Sequence, residues 1–283
     1  MCRILGLFFL FLVHLKICAY EIVIVSMFRN CAPYIREWVS YHHMIGVDHF
    51  WLYDDESEDN WAESLKDYID AGIVEVFYWP GGRPDWTAAQ MRAFHDGLER
   101  GVGVAKWVAL LDQDEFIVPM QDRSLPECLQ NHFSNAGAVY MNWRHFGTSH
   151  VTLAPGESLL ARLTSCSERE HSRNAVGKSI LRPECADISQ LWTQHFCLLK
   201  PGYTYVNGDG EHTINFERSD LWTDGKIHDQ FIRVNHYSHR DEAFFYRDRI
   251  YRDAGNIQLQ LDHYEDFNKT QDRAILELIE KYQ

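Results

Sequence analysis

The sequence is short of basic residues. Its 283 residues include 27 lysines and arginines against 41 aspartates and glutamates, which gives a formal net charge of −14. Binding along a nucleic-acid backbone requires a basic face, so no nucleic-acid partner is expected. Glycine and proline are also scarce, at 17 and 8 residues, and this excludes a collagen-like or low-complexity chain.

A long hydrophobic run is missing near the N-terminus, where only a short one occurs. Residues 4–13 are ten apolar residues, whereas a helix across a hydrocarbon core of roughly 30 Å needs about 20. Arg3 before this run and Ala19 after it are typical of a signal peptide. We expect residues 1–19 to be a signal peptide or a short membrane-associated segment. The protein would then lie in the secretory pathway or at a membrane, and in the cytoplasm if this segment has no targeting function.

Paired cysteine motifs are missing as well. Seven cysteines occur, none of them in a CxxC pair, and five remain beyond residue 19. An odd number without such pairs indicates neither a disulfide framework nor a structural zinc site. Small buried hydrophobic side chains are the favoured interpretation.

Apolar residues, by contrast, are plentiful, at 46% of the chain with 14% aromatic residues, enough for a sizeable core. Strand-like segments alternate with helical ones. Strands are predicted over 21–26, 50–53, 73–78, 107–111, 138–141 and 203–206, and helices over 33–45, 61–71, 87–100 and 274–282. Close alternation of this kind predicts an α/β fold in a single domain, with a mixed, mostly parallel sheet and helices on both faces.

Two carboxylates follow the fourth predicted strand with one residue between them. If the backbone turns there, Asp112 and Asp114 can both approach one divalent cation. Mg²⁺ or Mn²⁺ bound in this way bridges two phosphate oxygens and neutralises a diphosphate leaving group. Open α/β sheets bind ligands beyond the carboxyl ends of their strands, which supports this interpretation. An acidic turn without a metal is the alternative.

Several segments, taken in order, resemble a known family. They are residues 29–38, 41–42, 46–50, 52–57, 112–119, 143–147, 178–180 and 235–237. Together they resemble glycosyltransferase family 92 and the family 2-like glycosyltransferases, whose D-x-D-E-F segment corresponds to residues 112–116. The resemblance implies a GT-A-like fold, with a glycosyltransferase domain over 20–250 and a C-terminal helical extension over 251–283. It also implies Mn²⁺ or Mg²⁺, a nucleotide-sugar donor linked to uridine diphosphate, and inverting transfer to a glycan, glycolipid or protein acceptor.

The resemblance further assigns roles to individual residues. The positions that it places at the donor are Arg29, Asn30, Asp54, Asp55, Gln90 and Asp112. The metal ligands that it implies are Asp112, Asp114 and His236. The chain departs from the family pattern at Cys31, where an acidic residue is usual, and at His239-Arg240-Asp241, where Lys-Ser is usual.

An inverting transfer also needs a carboxylate base beside the acceptor hydroxyl. Asp209, in the glycine-containing turn 207–212, is the candidate, and Glu211 is the reserve. A solvated turn without a catalytic role is the alternative. A retaining enzyme would need no base of this kind.

Two other functions are compatible with parts of this pattern. A sugar nucleotidyltransferase would carry a glycine-rich, basic loop after the first strand, and residues 26–29 contain no glycine. A non-catalytic protein that binds nucleotide sugars or carbohydrates would have no need for both Asp112 and Asp114. Metal-dependent turnover of a donor separates that binding protein from the enzymes.

Overall fold

A computed structural model describes residues 18–82, 85–211, 226–250 and 257–283. Most of the predicted N-terminal segment lies outside these residues, as do the first six residues of the predicted C-terminal extension. Within the described ranges, no helix combines the length and apolar character that a membrane crossing requires. The cysteines at positions 31, 128, 166, 185 and 197 are buried and free.

One large sheet organises the part of the chain that the structure describes. The strands are β1 (Tyr20–Phe28), β2 (His49–Asp54), β3 (Val74–Tyr78), β4 (Ala105–Leu110), β5 (Glu115–Pro119), β6 (Ala138–His145), β7 (Ser165–Cys166), β8 (Gly177–Leu181), β9 (Ala186–Thr193), β10 (Phe196–Leu199), β11 (Tyr205–Val206), β12 (Ile232–His236) and β13 (Thr270–Gln271). The sheet has the order β3-β2-β1-β4-β8-β6-β12-β5, and β11 also pairs with β6. Its pairings are parallel except for β4–β8, β6–β8 and β5–β12, so the predicted mixed, mostly parallel sheet is confirmed.

Helices cover both faces of this sheet. They are α1 (Ala32–Met44), α2 (Trp61–Ser64), α3 (Lys66–Asp70), α4 (Trp86–Gly101), α5 (Leu125–His132), α6 (Leu159–Arg162), α7 (Glu242–Phe244), α8 (Ile257–Asp266) and α9 (Ala274–Glu280). Alternate residues of β1 belong to opposite cores: Ile22 and Ile24 share one with α1, whereas Val23 and Val25 share the other with α4. This alternation follows from the two-residue period of a strand, and it confirms helices on both faces of a single domain.

The predicted continuous helix over 61–71 is wrong in one respect. Leu65 interrupts it with φ −109° and ψ 2°, outside the helical region, so that α2 and α3 are separate. The Leu65 side chain is fully buried. The residue at which the helix breaks is thus a leucine buried in the core.

The sheet curls, and this brings β5, at one edge, close to β4 in the middle of the strand order. β4 and β5 are separated by three strands in the sheet order, yet only five residues carry the chain from Leu110 to Glu115. Four strand spacings of a flat sheet amount to about 19 Å, whereas five extended residues reach about 17 Å at most. Because a flat sheet cannot satisfy this connection, the segment with Asp112 and Asp114 lies where the curl brings β5 near β4.

Candidate active site

A cleft of about 330 Å³ opens at the carboxyl ends of β1 and β4. Residues that directly follow these strands form one side of it, and the beginning of α4 and the segment after β12 form others. The lining residues are Arg29, Asn30, Cys31, Trp86, Thr87, Gln90, Asp112, Gln113, Asp114, Trp143, Gln194, His195, His236, Ser238, Arg240, Phe244 and Arg249. Of the predicted donor and metal residues, the cleft therefore brings together all except Asp54 and Asp55.

Asp112 is held by hydrogen bonds on both carboxylate oxygens. Oδ1 accepts from Nε2 of Gln90, which α4 presents from its first turns, and Oδ2 accepts from Nζ of Lys178 at 2.8 Å. Burial acts to raise the pKa of Asp112, but the Lys178 ammonium outweighs it, and the pKa lies below its ordinary value. Asp112 is therefore an ionised carboxylate in a fixed orientation at the wall of the cleft.

Lys178 lies beneath this carboxylate and is completely buried. Its Nζ is 2.8 Å from Asp112 and 3.6 Å from Oε2 of Glu115, which is equally buried. Burial lowers the pKa of Lys178, but the two carboxylates raise it, and the net effect is upward. Glu115 has a pKa well above its ordinary value because of burial. A buried ammonium thus lies between two acidic groups behind the Asp112 side of the cleft.

Asp114 and His236 come together through strand pairing. β5 and β12 are antiparallel, with His236 opposite Glu115, and the backbone N–H of Tyr237 donates to the carbonyl of Asp114 at 2.7 Å. This register leaves Nε2 of His236 3.7 Å from Oδ1 of Asp114. The short segment after β4 therefore meets a residue more than a hundred positions later.

The chemistry of this pair fits a divalent cation. Two ligand atoms that each lie about 2.1 Å from a metal are at most about 4.2 Å apart, so one ion can bridge the 3.7 Å between Asp114 and His236. Burial lowers the pKa of His236 to about 4, and the neutral imidazole is the form that binds metals. Asp112 lines the same cleft as the pair, and each of its oxygens has a lone pair left after the bonds to Gln90 and Lys178.

The predicted donor residues after β1 and β2 form a connected loop. Nη1 of Arg29 donates to Asp55 at 3.1 Å, and the other oxygen of Asp55 accepts from the backbone of Gly82 at 2.7 Å. Asn30 adopts φ +50° and accepts from the backbone of Glu58. Asp54 accepts from a backbone N–H three residues later. Asp54 and Asp55 thus shape the loop beside the cleft, while Arg29 and Asn30 line it.

The two predicted bases belong to a separate cluster with His228. Oδ2 of Asp209 lies in hydrogen-bond contact with Nδ1 of His228 at 2.8 Å, and Oδ1 accepts from the backbone N–H of Gln230 at 2.8 Å. Among the described residues, Asp209, Glu211 and His228 are the one group whose three ligand atoms lie within 4.8 Å of one another. None of the three lines the cleft, so the role of Asp209 or Glu211 as a base stays a prediction.

A comparison with protein-family models decides the affiliation, because the model of glycosyltransferase family 92 matches residues 25–233. The chain belongs to glycosyltransferase family 92. A family 92 protein of Oryza sativa subsp. japonica is 30% identical over 214 residues, 74% of this chain and 35% of that protein. A family 92 protein of Ricinus communis is 29% identical over 208 residues, 72% of this chain and 36% of that protein. The chain thus spans about a third of the length of these curated relatives.

Solved structures with the GT-A-like α/β architecture are similar to this family 92 chain at low identity. TarS 1-349 from S. aureus aligns with 11% identity and a TM-score of 0.38, covering 66% of this chain and 60% of that one.

Some residues that line the cleft of this family 92 protein were not singled out by the sequence. They include Trp86, Thr87, Gln194, His195, Ser238, Phe244 and Arg249. Lys178 did belong to a segment of the family resemblance, but its sequence did not show that it lies under Asp112. Arg240 stands where the family pattern usually has Lys-Ser, and that departure was the available signal.

Proposed function

We propose that this family 92 chain is a metal-dependent glycosyltransferase, which moves a sugar from a uridine-diphosphate-linked donor to an acceptor hydroxyl with inversion. One observation carries the proposal: Asp112, Asp114 and His236 line the same cleft at the carboxyl ends of the strands. A nucleotidyltransferase or a binding protein does not account for this combination equally well.

In this proposal the residues of the cleft have three roles: they bind the metal, orient Asp112 and contact the donor. Asp114 and His236, together with Asp112, would hold Mn²⁺ or Mg²⁺, which would supply positive charge to a departing diphosphate. Lys178 and Gln90 keep Asp112 ionised and oriented. Arg29 and Asn30 face the donor nucleotide from the end of β1.

Release of nucleoside diphosphate from a panel of nucleotide sugars tests the proposal. We expect the full chain to turn over one donor with Mn²⁺ or Mg²⁺ in the presence of acceptor sugars, and to lose this turnover with a chelator. The product's anomeric configuration, read by NMR, distinguishes inversion from retention. Absence of both turnover and a metal-dependent shift in melting temperature with every donor would favour the non-catalytic binding protein.

The acceptor base is proposed at Asp209, with Glu211 in reserve. Asp209→Asn keeps the size of the side chain but removes the basic carboxylate, so we expect turnover to fall about a hundredfold or more. The affinity for uridine diphosphate with Mn²⁺, measured by calorimetry, should stay the same because the base would contact the acceptor hydroxyl and not the nucleotide. Glu170→Gln, an exposed carboxylate, is the matched control. Unchanged turnover in Asp209→Asn would assign that residue to the turn alone.

We also propose that the transfer takes place in the secretory pathway or at a membrane, on a glycan, glycolipid or protein. This follows from the signal-like residues 1–19. Fractionation of cells that express the full chain tests it.

A further inference from the structure

Arg240 is a buried arginine in the wall of the cleft. Its residue is 7% exposed, and the guanidinium carbon lies 4.4 Å from the ring centre of Tyr34 and 4.5 Å from that of Phe244. Nη2 lies 3.9 Å from Sγ of Cys31. The cation therefore rests between two aromatic rings and a thiol.

This cation has no acidic partner among the residues that the structure describes. Buried charges in proteins are normally paired, and other arginines of this chain follow the rule: Arg233 lies 2.8 Å from Asp272 and Arg29 lies 3.1 Å from Asp55. For Arg240, no described carboxylate oxygen comes within the 4.0 Å of an ion pair, and Nε is buried without a hydrogen bond. The guanidinium charge is therefore not compensated by a described acidic group, and the residue lines the cleft, where an anion from outside the chain can approach it.

The backbone at this position is also unusual. Arg240 has φ +49°, a left-handed conformation that costs a residue other than glycine about 1 kcal/mol or more. Its N–H donates to the carbonyl of Tyr237 at 2.9 Å, which closes a tight turn directly after His236. Burial acts to lower the pKa of Arg240, but Cys31 and the more distant Asp114 raise it above its ordinary value, and the guanidinium keeps its charge.

We propose that Arg240 is a catalytic residue, which binds the diphosphate of the donor through its guanidinium. The inference rests on the proposed function. When the bond between the anomeric carbon and the diphosphate oxygen breaks, its electron pair remains on that oxygen, while the acceptor oxygen bonds to the carbon and gives its proton to the base. A guanidinium matches phosphate oxygens with two parallel N–H donors and stabilises the charge that develops there.

The aromatic rings explain how the cation is kept ready for this role. A carboxylate partner would neutralise the guanidinium and compete with the phosphate, whereas Tyr34 and Phe244 hold it by cation–π contact and leave its N–H groups available. Arg240 and the pair of Asp114 and His236 would then act on the same leaving group within one cleft.

Binding of inorganic pyrophosphate with Mn²⁺, measured by calorimetry on the full chain, tests the proposal without depending on turnover. We expect Arg240→Met to weaken this affinity about ten- to a hundredfold, since charged hydrogen bonds are lost. Its melting temperature should not fall, because methionine replaces an unpaired buried cation with an apolar side chain. With the preferred donor, kcat should decrease more than KM rises.

Two further variants make the result decisive. Arg240→Lys keeps the charge but loses the planar pair of donors, so we expect about tenfold weaker binding of pyrophosphate; this variant replaces Arg240→Met if the latter does not fold. Arg247→Met is the control, since Arg247 is exposed and paired with Asp248, and it should bind as the wild type does.

The possible failures are distinguishable. Equal affinity for pyrophosphate in the wild type and both Arg240 variants, or no affinity in the wild type, would overturn the role of Arg240. Binding of pyrophosphate that depends on Arg240, without turnover of any donor, would instead overturn the transferase and retain the anion site.

Discussion

Lys178→Met is expected to lower the free energy of unfolding by about 3–5 kcal/mol, the usual cost of removing one partner from a buried ion pair. Lys178 is completely buried, with its Nζ 2.8 Å from Asp112 and 3.6 Å from Glu115. Methionine fills a similar volume, so the loss reflects charge rather than packing. Urea denaturation followed by fluorescence measures this change.

The dependence of this loss on pH has a definite sign. Lys178 lowers the pKa of Asp112, so the ion pair contributes its full stability above the unfolded pKa of about 3.9 and loses it as the pH falls through the folded value. The gap between the wild type and Lys178→Met should therefore be widest near neutral pH and should narrow below about pH 4.

Two further variants test whether the loss of stability comes from the buried ion pair. Lys178→Met combined with Glu115→Gln removes one of the stranded acidic groups and should recover part of the lost stability. Lys200→Met changes an exposed lysine and should leave unfolding within about 0.5 kcal/mol of the wild type. A loss as small in Lys178→Met as in Lys200→Met would contradict the buried ion pair.

Asp114→Asn is expected to reduce metal-dependent turnover of the donor at least a hundredfold. The substitution keeps the shape and removes the charge that lies 3.7 Å from His236. A bound metal contributes several kcal/mol to stabilising the leaving group, and each 1.36 kcal/mol corresponds to a factor of ten in rate. Steady-state rates over a series of Mn²⁺ concentrations should show a lower maximum and a higher half-saturating concentration.

Asp114 is a sharper test than Asp112, because Asp112 also holds Lys178 and its loss would disturb the fold. The backbone hydrogen bond from Tyr237 to the carbonyl of residue 114 remains in Asp114→Asn, so we expect a melting temperature close to that of the wild type. Asp70→Asn, an exposed carboxylate paired with Lys66, is the control and should keep full activity. Wild-type rates in Asp114→Asn would remove Asp114 from the metal site.

Local patterns in the sequence were enough to predict the first half of the fold. The strand predicted over 21–26 is the centre of β1, and the helix predicted over 87–100 is α4 with one more residue at each end. The position of Asp112 shortly after β4 was also predictable, because residues 107–111 form a continuous apolar run that leads into Asp112. Each of these signals lies within about 15 neighbouring residues.

The strands that complete the site have no such local signal. β8 contains Lys178 between a glycine and a serine, yet all of its residues are buried. The charge of the buried lysine is compensated by an ion pair. β5 and β12 define each other by antiparallel pairing, and no periodicity in either segment specifies that register. The meeting of Asp114 with His236 and the burial of Lys178 under Asp112 were therefore beyond local inference, although the family resemblance did point to His236.

The curled sheet also determines when the cleft can form during folding. Lys178 and Asp112 are 66 residues apart in sequence, and Arg240 and Cys31 are 209 residues apart. Contacts between residues so far apart in sequence form slowly, because the chain loses loop-closure entropy before the contacts stabilise it. The parallel pairings β1–β2 and β2–β3 join residues only 26 and 24 positions apart, such as Val23 with His49 and Phe50 with Val74, and they can assemble earlier. The cleft is therefore complete only when the last strands close the curl. A nascent chain that has not yet released residue 240 has the acidic segment but not the cleft around it.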